Sequence, residues 1–151
     1  MKSIEITRRL EFDAGHRIPN HGGQCRNLHG HRYQLEITVT GHVVSVAGVA
    51  DEGMVLDFGD IKTIANRVLV DQWDHAFLVA KSDEQLVSFL SGIKDHKTVV
   101  MDEVPTVENL AKNAFSLLAP AIAQNYQGRV KLKSIRLFET PNCWADVSDD
   151  V

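Results

Sequence analysis

The chain is poor in cysteine: Cys25 and Cys143 are the only two in 151 residues. That excludes a disulfide scaffold, and without a Cys-x2-4-Cys pair it leaves no thiolate-rich structural zinc motif. A bridge between the two is not expected in a reducing compartment. Long apolar runs are missing as well. No stretch approaches the ~20 residues that span a bilayer, and the first nine residues lack a signal-peptide core, so a cytoplasmic protein without membrane attachment is expected. Nor is positive charge in excess. A net charge of -4 lacks the basic footprint of a nucleic-acid binder, so no such partner is expected. Repeats, linkers and low-complexity segments are absent, and 44% hydrophobic with 24% charged residues is ordinary globular composition. One domain over residues 1–151 is expected.

Periodicity gives the elements. Ile4, Ile6, Leu10 and Phe12 share a phase opposite Glu5, Thr7 and Glu11, which predicts a half-buried strand running to His16. A Pro- and Gly-containing loop over 18–24 follows. Tyr33, Leu35, Ile37 and Val39 alternate with Gln34, Glu36, Thr38 and Thr40 in a second strand beginning near His29. Asp57 caps a helix over 58–70 with Ile61, Ile64, Ala65, Val68 and Leu69 on its apolar stripe. Thr106 caps a longer helix whose stripe is Val107, Leu110, Ala111, Ala114, Leu118, Ala121 and Ile122. Between them, 76–104 carries a short helix near Glu84–Leu90 and a short strand near Thr98–Met101. A strand over 130–139, bulged near Lys133 and Ser134, pairs back with 142–147. Strand, strand, helix, helix, strand, strand predicts an α+β domain: an antiparallel sheet with both helices on one face.

Chemistry concentrates in Cys25-Arg-Asn-Leu-His29-Gly-His31, with His16 nine residues upstream of the cysteine. On a strand, His29 and His31 point to the same face. An antiparallel partner ending at His16 would bring a third imidazole beside them. Three neutral imidazoles suit Zn2+ and leave a fourth position for water or substrate, the pattern of a catalytic metal. A closed structural site with Cys25 as fourth ligand, and no metal at all, are the competing readings. Cys25 beside a cation would ionise readily and serve as base or nucleophile.

Other groups are less specific alone. Asp74-His75 is a carboxylate-imidazole pair able to carry protons, or a plain helix end. Glu108 sits in a first helical turn, where the macrodipole favours it. Glu139, at a strand end, can accept two parallel hydrogen bonds from an amidine-like edge of a heterocycle. Arg17, Arg26 and Arg32 flank the histidines and form a candidate anion cluster.

Taken together, Phe12-Asp-Ala-Gly-His16-Arg17, Cys25-x3-His29-Gly30-His31, Asp57-Phe58, Asp74-His75, Pro105-Thr-Val-Glu108-Asn-Leu and Phe138-Glu139-Thr140 resemble the 6-pyruvoyltetrahydropterin synthase and 6-carboxytetrahydropterin synthase family. The match runs in order along nearly the whole chain. The resemblance implies the tunnelling fold, with four-stranded antiparallel sheets and two long helices per subunit. The sheets join into a barrel, commonly a hexamer built as a dimer of trimers with active sites at subunit interfaces. It implies Zn2+ on His16, His29 and His31, Cys25 as general base, Asp74 and His75 as proton relay, Glu139 as pterin anchor and Glu108 as a further substrate-site residue. The implied substrate is 7,8-dihydroneopterin triphosphate. The product is 6-carboxytetrahydropterin with acetaldehyde, towards queuosine and 7-deazapurines, or 6-pyruvoyltetrahydropterin in the tetrahydrobiopterin branch. The contexts Leu28-His-Gly-His31 and Val104–Leu110 look closer to the bacterial carboxy enzymes. Arg32 and a long 80–104 stretch depart from the usual pattern, and Arg32 is expected to add a phosphate contact. Outside enzymology, a zinc-stabilised binding module remains the alternative.

Overall fold

The structure, a computed structural model, describes residues 1–149. Strand β1 (Ile4–His16) pairs antiparallel with β2 (His29–Gly41) over their full lengths. Alternation works as the sequence implies: Leu10, Phe12, Ala14 and His16 on β1, and Tyr33, Leu35, Ile37 and Val39 on β2, are buried on one face. β5 (Val130–Thr140) pairs antiparallel with β2 and β6 (Cys143–Ser148) with β5. The expected bulge is present. Thr38 faces Ser134 and Val39 faces Leu132, leaving Lys133 as the extra residue.

The four-stranded antiparallel sheet is corrected. Six strands form one mixed sheet in the order β4-β3-β1-β2-β5-β6, and the two additional strands, β3 (Ala76–Ala80) and β4 (Thr98–Met101), pair in parallel. Ala76–Ala80 is short and almost wholly apolar, so it lacks the alternation that marks a half-buried strand.

Helix α1 (Phe58–Ala65) starts at Asp57, whose carboxylate accepts from the Gly59 amide. A π-helical turn over Asn66–Val70 carries it into the final turn α2 (Asp71–Trp73). The wide turn adds a residue and shifts the buried stripe, so Val70 and Trp73 join Ile61, Ile64, Ala65 and Leu69 inside while Val68 is half-buried. Helix α4 (Val107–Asn125) is capped by Thr106, whose hydroxyl accepts from the Asn109 amide. Its buried residues share one core with α1, α2 and the inner face of the sheet. The short helix α3 (Glu84–Ser91) lies elsewhere: Leu86 and Leu90 pack on Val79 and Phe77, which alternate away from the main core. Both faces of β3 are therefore covered. Among the described residues no helix is long and apolar enough to cross a membrane, and both cysteines are free thiols.

Candidate metal centre

Register alone assembles the three histidines. His16 stands directly opposite His29, and His31 stands opposite Ala14, two residues along the same face. The ring centroids are 4.6, 4.9 and 5.1 Å apart, and one ligand nitrogen from each lies within 4.8 Å of the others. The cluster caps the core stripe: Tyr33, fully buried and stacked on Phe12 at 5.2 Å, lies 6.1 Å from His16 and 5.7 Å from His31.

The donor set fits a cation. His16 Nδ1 donates to the Pro105 carbonyl at 2.7 Å, just before α4, and His29 Nδ1 donates to the Asn27 carbonyl at 2.7 Å. Protons on both Nδ1 atoms leave the two Nε2 atoms as acceptors, and these face each other at 3.1 Å. Two lone pairs that close repel unless a positive centre lies between them. His31 Nε2 is buried with no hydrogen-bond partner, a cost of about 1–3 kcal/mol for a group left unsatisfied. A metal ion would relieve both. Burial lowers the pKa of His16, against the Pro105 carbonyl and the Glu139 carboxylate, and burial likewise lowers that of His31, with Glu139 again opposing. Neutral imidazole is the form a metal binds. The same burial raises the Tyr33 phenol above its ordinary value.

Glu139 reaches the cluster from β5, its Oε1 lying 3.4 Å from His16 Nε2 and 3.7 Å from His31 Nε2. It also lines a cavity of about 210 Å³ with Ile18, His21, Cys25, Thr106, Val107 and Glu108. Cys25, Glu108 and Glu139, far apart in sequence, therefore share one recess beside the histidines.

Asp74 and His75 lie on another side. The Asp74 carboxylate accepts from the Asp13 amide at 3.0 Å and pairs with His75 Nδ1 at 3.0 Å. Burial alone would raise the Asp74 carboxyl, but the Asp13 amide and the His75 ring hold it below its ordinary value. His75 sits at φ 61°, the left-handed region that a non-glycine residue occupies at a cost. Its side chain is 74% exposed. It lines a cavity of about 460 Å³ with Asp13, Gly15, Gly30, His31 and Arg32, not the recess of Cys25.

The three arginines do not form a free anion cluster. Arg32 pairs with Glu11 at 3.0 Å and Asp13 at 2.8 Å, so a phosphate there would compete with two carboxylates. Arg17 pairs with Asp83, which the sequence reading missed. Arg26 donates to the carbonyls of Gly22 and Gly23. Gly15, quoted in the His16 motif without a role of its own, has one: a Cβ there would stand 2.6 Å from the Phe77 ring, so the contact between β1 and β3 beside His16 favours glycine.

A profile described as 6-pyruvoyl tetrahydropterin synthase matches residues 5–150. The chain belongs to this family. Among family members, it is 37% identical over 147 residues to the 6-carboxy-5,6,7,8-tetrahydropterin synthase of Rickettsia conorii, covering 95% of this chain and 99% of that one. The enzyme of the same name from Haemophilus influenzae is 31% identical over 149 residues, covering 97% and 99%. Among solved structures, an uncharacterized protein of Wolinella succinogenes superposes with a TM-score of 0.78 at 22% identity, covering 99% of this chain and 100% of that one. The Caenorhabditis elegans 6-pyruvoyl tetrahydropterin synthase gives 0.69 at 23% identity, covering 99% and 98%. The family fold, a pterin synthase α+β architecture, is thus shared across the chain.

Proposed function

We propose that this protein is a zinc-dependent carbon-oxygen and carbon-carbon lyase. With one water consumed in the carbon-carbon cleavage, it converts 7,8-dihydroneopterin triphosphate to 6-carboxy-5,6,7,8-tetrahydropterin, releasing triphosphate and acetaldehyde. The observation that carries the reading is the convergence of three imidazoles, one with an orphaned buried nitrogen, beside a recess holding Cys25, Glu108 and Glu139. The names of the curated relatives favour the carboxy branch over 6-pyruvoyltetrahydropterin synthesis.

His16, His29 and His31 would hold the Zn2+, which when bound supplies Lewis acidity towards the substrate's side-chain oxygens. The chain's own groups do the rest. Glu139 accepts hydrogen bonds from the pterin's amino group and adjacent ring nitrogen, fixing the heterocycle. The Cys25 thiolate removes a carbon-bound proton beside the pterin imine, and His75, oriented by Asp74, handles protons on the hydroxyl side. Glu108 on the rim completes the substrate site. His75 and Cys25 line different cavities within one chain, and a neighbouring copy that supplies one of them would let the two act on one substrate. That supports a homo-oligomer with sites at subunit interfaces, arranged as a hexamer of two trimers around a barrel. Such a product would feed queuosine and 7-deazapurine synthesis.

The test is incubation of zinc-loaded protein with dihydroneopterin triphosphate. Acetaldehyde release with 6-carboxytetrahydropterin supports the proposal. A pyruvoyl product without acetaldehyde selects the other branch, and absence of turnover with zinc bound leaves the binding module.

A further inference from the structure

Besides Tyr33, the ionisable side chains buried among the described residues are His16 and Asp83. His16 belongs to the metal centre; Asp83 has no part in the chemistry above. It leads into α3, with its amide bonded to the Ala80 carbonyl at 2.9 Å and its own carbonyl accepting from the Val87 amide at 3.0 Å. Its two carboxylate oxygens accept from Arg17 Nε at 2.7 Å and from the Arg17 terminal nitrogen at 2.6 Å. This two-point planar contact fixes orientation as well as distance.

Arg17 immediately follows His16. Successive residues turn to opposite sides of an extended chain, so His16 enters the metal centre while Arg17 reaches towards α3. The next residue, Ile18, donates its amide to the Cys25 carbonyl at 2.8 Å and accepts at its own carbonyl from the His21 amide at 3.1 Å. The loop bearing the thiol therefore hangs from Ile18. A short directional path runs from Asp83 through Arg17 and Ile18 to Cys25, and its middle is covalently joined to a metal-site histidine.

An ion pair of this kind, its carboxylate buried and its guanidinium partly exposed, is weak evidence for stability. What it supplies here is a fixed point. We propose that Arg17 and Asp83 are positioning residues whose ion pair sets the place of the Cys25 thiol relative to the three histidines. The turn that leads into α3 at Asp83 then acts as a buttress of the site. The effect on turnover rests on the function proposed above; the effect on the thiol does not.

Asp83→Asn keeps the side chain's shape and removes its charge. The measurements are bound zinc, the alkylation rate of Cys25 by iodoacetamide relative to Cys143 in the same molecule, and steady-state kinetics. The expected result is unchanged zinc content, a several-fold change in the Cys25 to Cys143 ratio, and a kcat lowered on the order of tenfold to a hundredfold with KM near wild type. An alkylation ratio equal to wild type overturns the proposal, as does a loss of activity fully matched by loss of folded protein. Arg17→Lys keeps the cation but not the two-point contact; it should move the same readouts less far, and it carries the test if Asp83→Asn does not fold. If the wild type turns over no pterin, the function reading fails while the alkylation ratio still decides the positioning role.

Discussion

Stripping the metal should leave this protein folded but measurably less stable. The three imidazoles sit at the end of the core stripe, beyond Phe12 and Tyr33, and the core from Leu10 to Leu137 closes without them. The metal-free site nevertheless retains an unpartnered buried nitrogen on His31 and two acceptor nitrogens 3.1 Å apart on His16 and His29. Zinc binding to the native state alone stabilises by about 2.7 kcal/mol when free zinc is a hundred times the dissociation constant. A domain of ~150 residues gains about 2–4 °C in Tm per kcal/mol. Zinc titration into chelator-treated protein should therefore raise Tm by about 5–11 °C, followed by calorimetry with far-UV circular dichroism as the fold readout. Loss of secondary structure on chelation would make the metal structural, as in domains whose folding is their metal binding. No shift, with no zinc by elemental analysis, would refute the site outright.

Other outcomes follow from individual residues. Cys25→Ala should lower kcat by about 10²–10⁴-fold while zinc content by elemental analysis stays at wild type; loss of zinc would instead make Cys25 a ligand. Glu139→Gln removes the charge from a two-point acceptor and should raise KM for the pterin by about tenfold or more, given about 1.5–3 kcal/mol for hydrogen bonds to charged groups, checked by steady-state kinetics. Gly15→Ala drives a methyl into the Phe77 ring at 2.6 Å and should cost about 1–3 kcal/mol in urea denaturation, with weaker zinc binding because His16 is the next residue. The Arg17 guanidinium holds the Asp83 carboxyl below its ordinary range, more than offsetting burial. A lowered folded-state pKa gives a contribution that is full above the unfolded value of about 3.9 and is lost as pH falls through the folded one. Wild type should lose more stability than Asp83→Asn between pH 7 and strongly acid solution, measured by denaturant midpoints.

The histidine cluster was legible because one rule, alternation along a strand, fixes both its members on β2 and their partner on β1. The register that pairs His16 with His29 also places Asp13 opposite Arg32, so the engagement of that arginine was contained in the same hairpin. It was overlooked because charges near a metal motif invite a ligand reading. Arg17 differs. Its partner lies 66 residues away, before a helix where an aspartate looks like an ordinary cap, and no local pattern joins the two. β3 escaped for a related reason: covered on one face by the main core and on the other by α3, it shows no polar phase. The separation of His75 from Cys25 needed coordinates, since each belongs to a motif that says nothing of the other's cavity.

The same register explains why the site should be ready before metal arrives. Phe12, Tyr33, Leu35 and Ile37 share the inner face with the three histidines. A slip of one residue between β1 and β2 would turn that apolar stripe to solvent at the moment it scattered the ligands. Burying four large side chains offers about 1.5–3 kcal/mol each, well beyond the about 1–3 kcal/mol lost at the unsatisfied His31 nitrogen. The hydrophobic core therefore enforces the ligand geometry against its own local cost. Substitutions that loosen the stripe, rather than the ligands themselves, should weaken zinc binding at a distance.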